Sequence, residues 1–403
     1  MSTKISALAA KRLINQIDNK DKTVEVTVLA PEPSLVLRPR LYEANASSMT
    51  FPLGGLFTSA GIDFFQGSAE TIDTQSHTIH ARCPTGVESS ITYDRLILAA
   101  GSSVVRPRSV AGLQQHAFDI DTLNSAAQLE AHLESLASLP ATNARDTIVI
   151  CGAGFTGIEL AAELPKRFSH VANLRVILVE SADALGPELG PGPRPVIEKA
   201  LKELNIEVRL GSAVAAVNAE GVNLASGERI ETKTAIWTAG MRATPLTQQI
   251  NGPRDNLSRI QVDRYLRAVS TKNVFVTGDA ASALADTDGH HALMSCQHAL
   301  QLGRISGHNA AAELLGQPLV EYSQAEYTCC LDLGSWGAVV SGGWEREVRF
   351  SGDLAKKVKE HINQKLIYPP DYAQEALEAA NHVLPVSDEL VKRILAVVGY
   401  SSG

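Results

Sequence analysis

Apolar and polar positions alternate along the chain so as to predict short buried strands and one-sided helices in succession. Near the start, ISALAAKRL (5–13) places its apolar residues on one face of a helix. VEVTVLA (24–30) then alternates Val24, Val26 and Val28 with Glu25 and Thr27 before a proline-rich turn, the pattern of a buried strand. Helix followed by strand is the tail of a mononucleotide-binding βαβ unit, yet no strand or glycine loop stands ahead of Lys4. In such a unit the first strand lies mid-sheet, so the expectation is a truncated coding region, with a further strand and GxGxxG upstream of Met1.

Further along, LVLRPRLYEA (35–44), FPLGGLFTSAGIDFFQGSAETID (51–73) and ITYDRLILAAGSSV (91–104) follow, the last with a strand running into Gly101–Ser102. A helical period covers 122–140, another helix is expected over 194–204, and a hairpin around 219–231. The strand NVFVT ends at Gly278–Asp279, and a helix is expected from about Leu293 to Leu315. From Tyr322 the pattern changes to short strands, the polar helix DLAKKVKEHINQKL and a last helix near 387–399.

The most informative stretch is 146–180, a complete strand, glycine loop, helix and second strand. Ile148, Val149 and Ile150 form an all-apolar strand of the kind covered on both faces in a parallel sheet. Directly after it, Gly152, Gly154 and Gly157 supply GxGxxG: a tight turn, a backbone approach to pyrophosphate, and close packing of helix on strand. Phosphates are then favoured at the helix N-terminus by its free N–H groups and dipole. Glu180 ends the second strand 23 residues beyond Gly157, where a carboxylate would accept the adenosine ribose hydroxyls. Ser181 and Ala182 follow in place of an arginine, which favours NADH over NADPH.

With 403 residues the chain suffices for two or three domains. Lys and Arg number 36 against 44 Asp and Glu, a net charge of −8 without a dense basic run, which argues against nucleic acid as a partner. The five cysteines form no CxxC and no Cys/His metal spacing, so no metal is expected, and a reducing cytoplasmic location fits. No apolar run approaches the ~18–20 residues of a membrane span.

Four segments in order, YDRLILAAGS, CGAGFTGIELAAEL with Glu180, AIWTAGMRATP, and NVFVTGDAA followed by MSCQHALQLGR, resemble the flavin-dependent pyridine nucleotide oxidoreductases, most closely their type II NADH dehydrogenase-like branch. The resemblance implies an α/β fold of two Rossmann-like units plus a C-terminal α+β domain. It divides the chain into an FAD domain (1–120 and 255–320), an NADH domain (121–254) and a C-terminal interface domain (321–403). It also implies FAD contacts from Ala100, Gly101, Gly278 and Asp279, with Arg38 at the flavin phosphates and Gly240 shaping the NAD pocket. Glu159 matches a family glutamate near nicotinamide and flavin; read from the residues alone, it is a first-turn acid complementing the helix dipole. The helix beginning near Gln297 would set its dipole against the flavin, and His298 is a candidate proton donor to a quinone.

Hydride passes from NADH to FAD in that family, and the absence of a dithiol pair beside the flavin suits a quinone-like acceptor. Cys329 and Cys330 are read as buried strand residues. Two alternatives stay open: a reductase of ferredoxin or rubredoxin, for which Lys356, Lys357 and Lys359 are the one basic stripe, and a flavin-free NADH sensor. In the last helix, Leu390, Val391, Ile394, Leu395 and Val398 form an apolar stripe. It suits the inner face of a membrane, a homodimer, or packing on the chain's own domain.

Overall fold

Thr147–Cys151 is buried at all five positions and is the middle strand of a five-stranded parallel sheet. A continuous apolar run has this fate because helices cover both faces of such a sheet. Its neighbours are Arg175–Val179 on one side and Thr234–Trp237 on the other, with Glu207–Arg209 and Ala117–Phe118 at the edges. The nucleotide unit thus begins ahead of the boundary expected at 121, since Ala117–Phe118 already belongs to its sheet. The hairpin expected around 219–231 is part of a three-stranded antiparallel sheet, Val214–Asn218, Gly221–Leu224 and Arg229–Glu231. In this computed structural model residues 1–17, 23–383, 387–397 and 399 are described.

On the flavin side, the helix Ser2–Gln16 packs along the longest helix, Cys296–Leu315. Close approach is possible because Gly303 and Gly307 face Ile5 and Ser6, and the Ser6 and Ser306 hydroxyls meet at 3.2 Å. The strand predicted from Val24 is shorter, Thr27–Ala30, and only Val28 in it is buried. It pairs in parallel with Asp63–Gln66, while Leu96–Leu98 pairs in parallel with Val274–Val276. These two ribbons share no hydrogen-bonded edge among the described residues. Ser102–Val104 pairs with Met241–Ala243 and ties the flavin side to the nucleotide unit.

The C-terminal segment forms an antiparallel sheet, Thr328–Asp332, Ala338–Gly342 and Glu347–Gly352, covered by the helix Asp353–His361. Cys329 and Cys330 are buried in its first strand. The last helix, Ser387–Val397, lays Val391 and Ile394 into its own domain, where Ile394 joins Cys330, Val340, Ala355 and Val358. The apolar stripe therefore packs internally at these positions; the Leu390 side chain and Val398 lie outside the described residues. No described helix is long and apolar enough to cross a membrane. The basic stripe is also broken up: Lys359 is buried, and Lys356 is bound to Asp332 at 2.6 Å.

Candidate active site

The glycine loop is shaped by its neighbours. Gly152 has φ 115°, and a Cβ there would lie 2.8 Å from the Ala239 nitrogen, while a Cβ on Gly157 would overlap the Gly152 carbonyl. No other residue fits either position. Gly154 is the N-cap of the helix Phe155–Arg167 and offers it no side chain, leaving the first-turn N–H groups to outside acceptors. Glu180 reaches across the loop: Oε2 accepts from the Ala153 N–H at 2.8 Å, and Oε1 accepts from Ala182 N–H at 2.9 Å and Ser181 Oγ at 3.1 Å. A second carboxylate, Glu188, accepts from the Phe155 N–H at 2.9 Å. Gly240 has φ 78°, and its carbonyl accepts from Val105 N–H; Trp237 is buried and donates to the Val105 carbonyl at 2.8 Å.

On the flavin side the two glycine turns meet. Gly101 (φ 70°) and Gly278 (φ 61°) are both left-handed, and Ser102 Oγ donates to Asp279 Oδ2 at 2.6 Å. The start of the helix Ser2–Gln16 joins them, with Thr3 Oγ1 donating to the Ala99 carbonyl beside Ala100, and Ser2 against Gly278. A helix N-terminus between two such turns suits the phosphates of a dinucleotide, and nothing lies within 4 Å of where a Gly101 Cβ would stand. The two turns thus fit the part of FAD that the segments YDRLILAAGS and NVFVTGDAA are expected to hold, while no glycine loop stands ahead of the helix Ser2–Gln16. Arg38 sits at the same place but is bound to protein, donating to Ser102 Oγ at 3.0 Å and ion-paired with Asp121 and Asp279.

Glu159 is where the reading as a simple first-turn acid fails. It is 4% exposed and pairs with Lys359 Nζ at 2.7 Å, and its Oε1 also accepts from the Asp332 N–H at 2.9 Å. Burial pushes its carboxyl up to about 7, against the opposing pull of the Lys359 ammonium. Lys359 also donates to the Cys330 carbonyl and stands 5.4 Å from the centre of the Phe155 ring. Around this pair, Tyr42 donates to Asp332 at 2.9 Å and Asn363 to Tyr42 at 3.1 Å. Lys359, Asp332 and Tyr42 were not expected here. The usable signal was Lys359 itself, which shares the buried face of Ala355, Val358 and Ile362 at helical spacing.

Gln297 lies half-buried in the first turn of the helix Cys296–Leu315, whose N-cap is Ser295. His298 is fully buried, holds the Ser295 hydroxyl through Nδ1 at 2.9 Å and stacks on Tyr327 with ring centres 4.8 Å apart. Burial, with Arg346 and Arg259 nearby, lowers its pKa to about 4, so its ring is neutral near pH 7. Its Nε2 is buried and has no hydrogen-bond partner among the described residues.

A sequence profile of the pyridine nucleotide-disulphide oxidoreductases matches residues 9–303. The chain belongs to that family. It is 42% identical to a NADH dehydrogenase-like protein of Mycobacterium tuberculosis, over 91% of both chains. It is 23% identical to a type II NADH:quinone oxidoreductase of Staphylococcus aureus, over 81% of this chain and 84% of the other. Among solved structures, the sulfide:quinone oxidoreductase of Aquifex aeolicus shares the fold with a TM-score of 0.73 at 17% identity, covering 97% of this chain and 93% of the other. NDH2 from Plasmodium falciparum does so with 0.71 at 14%, covering 88% and 92%. Family membership makes this an FAD-dependent pyridine nucleotide oxidoreductase.

Proposed function

We propose that the protein oxidises NADH and delivers both electrons to a quinone-like small acceptor. The observation that carries this reading is the buried Glu159 carboxyl, paired with Lys359 at 2.7 Å and pushed by burial towards its protonated form. Reduction of a quinone takes two electrons and two protons, whereas an iron–sulfur protein takes an electron and no proton. A buried carboxyl poised near neutrality is what proton delivery requires and single-electron transfer does not. Relatives named as quinone oxidoreductases, and a demethylphylloquinone reductase of Synechocystis at 27% identity over 79% of both chains, support the same acceptor class. A docked acidic protein is less well served, because Lys356 and Lys359 are engaged internally.

In this reading the backbone of Gly152, Gly154 and Gly157 takes the NADH pyrophosphate, Glu180 takes the adenosine ribose, and Gly240 borders the nicotinamide end. Ala100, Gly101, Gly278 and Asp279, with Arg38 held at the same turn, hold FAD. Bound FAD supplies hydride acceptance and the return of the electron pair. Gln297 and the N-terminus of its helix offset negative charge on the acceptor side. Glu159 holds the proton, and Lys359 receives the charge that remains after it leaves.

The test compares two acceptors in FAD-loaded protein, a short-chain quinone and ferricyanide, which takes no proton. Glu159→Gln is expected to slow quinone reduction about 100-fold and leave ferricyanide reduction close to wild type. Equal losses with both acceptors, or none, would contradict the assignment.

A further inference from the structure

Glu188 stands on the short turn Pro187–Leu189, between Gly186 (φ 49°) and Gly190 (φ 74°). The turn is anchored by the buried side chains of Leu185 and Leu189 and by Gly186 N–H donating to the Ala153 carbonyl at 2.9 Å. Glu188 itself is exposed, so its carboxylate can swing into solvent without disturbing that anchor. Instead it lies over the glycine loop. Its Oε1 accepts from the Phe155 N–H at 2.9 Å, and a Cβ on Gly154 would lie 2.7 Å from the same oxygen.

Gly154 is the residue whose missing side chain lets a pyrophosphate come close, and the Phe155 N–H is one of the donors that would receive it. Both are covered by a carboxylate from this chain. We infer that Glu188 is a built-in competitor of the cofactor phosphates, displaced when NADH binds and returning to the helix N-terminus as NAD⁺ leaves. The inference rests on the reading of Gly152–Gly157 as the NADH site. Charge makes the two occupants exclusive, because a pyrophosphate beside a carboxylate at one helix N-terminus would place like charges in contact. Glu180 is different: it holds two backbone N–H groups from the side, through Ala153 and Ala182, and stays as the ribose acceptor. One carboxylate is fixed for recognition, and the other sets how tightly the dinucleotide is held.

A competitor engaged about nine-tenths of the time weakens apparent affinity about 10-fold. The experiment measures binding of NAD⁺, ADP-ribose and adenosine to the FAD-loaded protein by calorimetry, for wild type, Glu188→Gln and Glu188→Ala. Both substitutions are expected to tighten NAD⁺ and ADP-ribose about 10-fold and leave adenosine, which has no phosphates, unchanged. In turnover the KM for NADH falls with no rise in kcat. Phosphate-dependent binding that is unchanged or weakened by both substitutions overturns the competitor role, as does any loss of adenosine binding, which would make Glu188 a support of the loop. Wild-type protein that binds ADP-ribose no better than adenosine overturns the reading of the glycine loop as well.

Discussion

Glu159 concentrates the chemistry of this molecule in a single carboxyl. Burial favours its neutral form and outweighs the Lys359 ammonium, so the folded protein binds this proton more tightly than the unfolded chain does. Its contribution to stability is therefore largest below the ordinary carboxylate value and is lost as pH climbs towards 7. The rate of quinone reduction should follow the same titration, falling as pH rises through about 7, and the profile of Glu159→Gln should be flat there. The glycine loop and the acid that reaches across it were legible because their signal is local: Gly152, Gly154, Gly157 and Glu180 are set by the geometry of one βαβ unit. Lys359 and Asp332 were not, because they reach Glu159 from a different domain and no spacing in the sequence records that contact.

At the scale of elements, long apolar or amphipathic segments were the easiest to place. The helix expected from Leu293 to Leu315 is Cys296–Leu315, and the one expected over 194–204 is Arg194–Glu203. VEVTVLA was overextended, because alternation marks where a strand can form whereas its length is set by the partner, and Asp63–Gln66 supplies only four residues. The contact between the helices Ser2–Gln16 and Cys296–Leu315 depends on features that look ordinary in sequence. A Cβ on Gly307 would overlap the backbone carbonyl of Ser6, and one on Gly303 would overlap Ile5. Gly307→Ala should cost about 1–3 kcal/mol by overpacking, seen as a lower melting temperature. A variant that melts with the wild type would show that these helices are not held as closely as described.

Over the whole molecule, the α/β class and the presence of a nucleotide unit followed from sequence, while the seat of the C-terminal domain did not. That domain grips the nucleotide unit through polar groups: Lys359 and Asp332 on Glu159, and Trp336 Nε1 donating to Glu203 at 2.6 Å. Tyr42 brings the flavin side into the same knot through Asp332 and Asn363. Lys359→Ala removes the ammonium that bonds Glu159 and the Cys330 carbonyl and leaves Glu159 protonated; it should cost about 1–3 kcal/mol, read from denaturant unfolding, with the larger loss above pH 7. Adding Glu159→Gln replaces the carboxyl by a group that cannot ionise and should recover part of the loss above pH 7; a double variant as unstable there as the sum of both single changes would deny the coupling.

The central claim is that both electrons of NADH reach a quinone through this protein together with protons. It is tested most directly by an anaerobic titration of the FAD-loaded protein, measuring quinol formed against NADH consumed with a short-chain quinone in excess. The account predicts one quinol for each NADH. Consumption of NADH without quinol, or no consumption until a one-electron carrier protein is supplied, would contradict it.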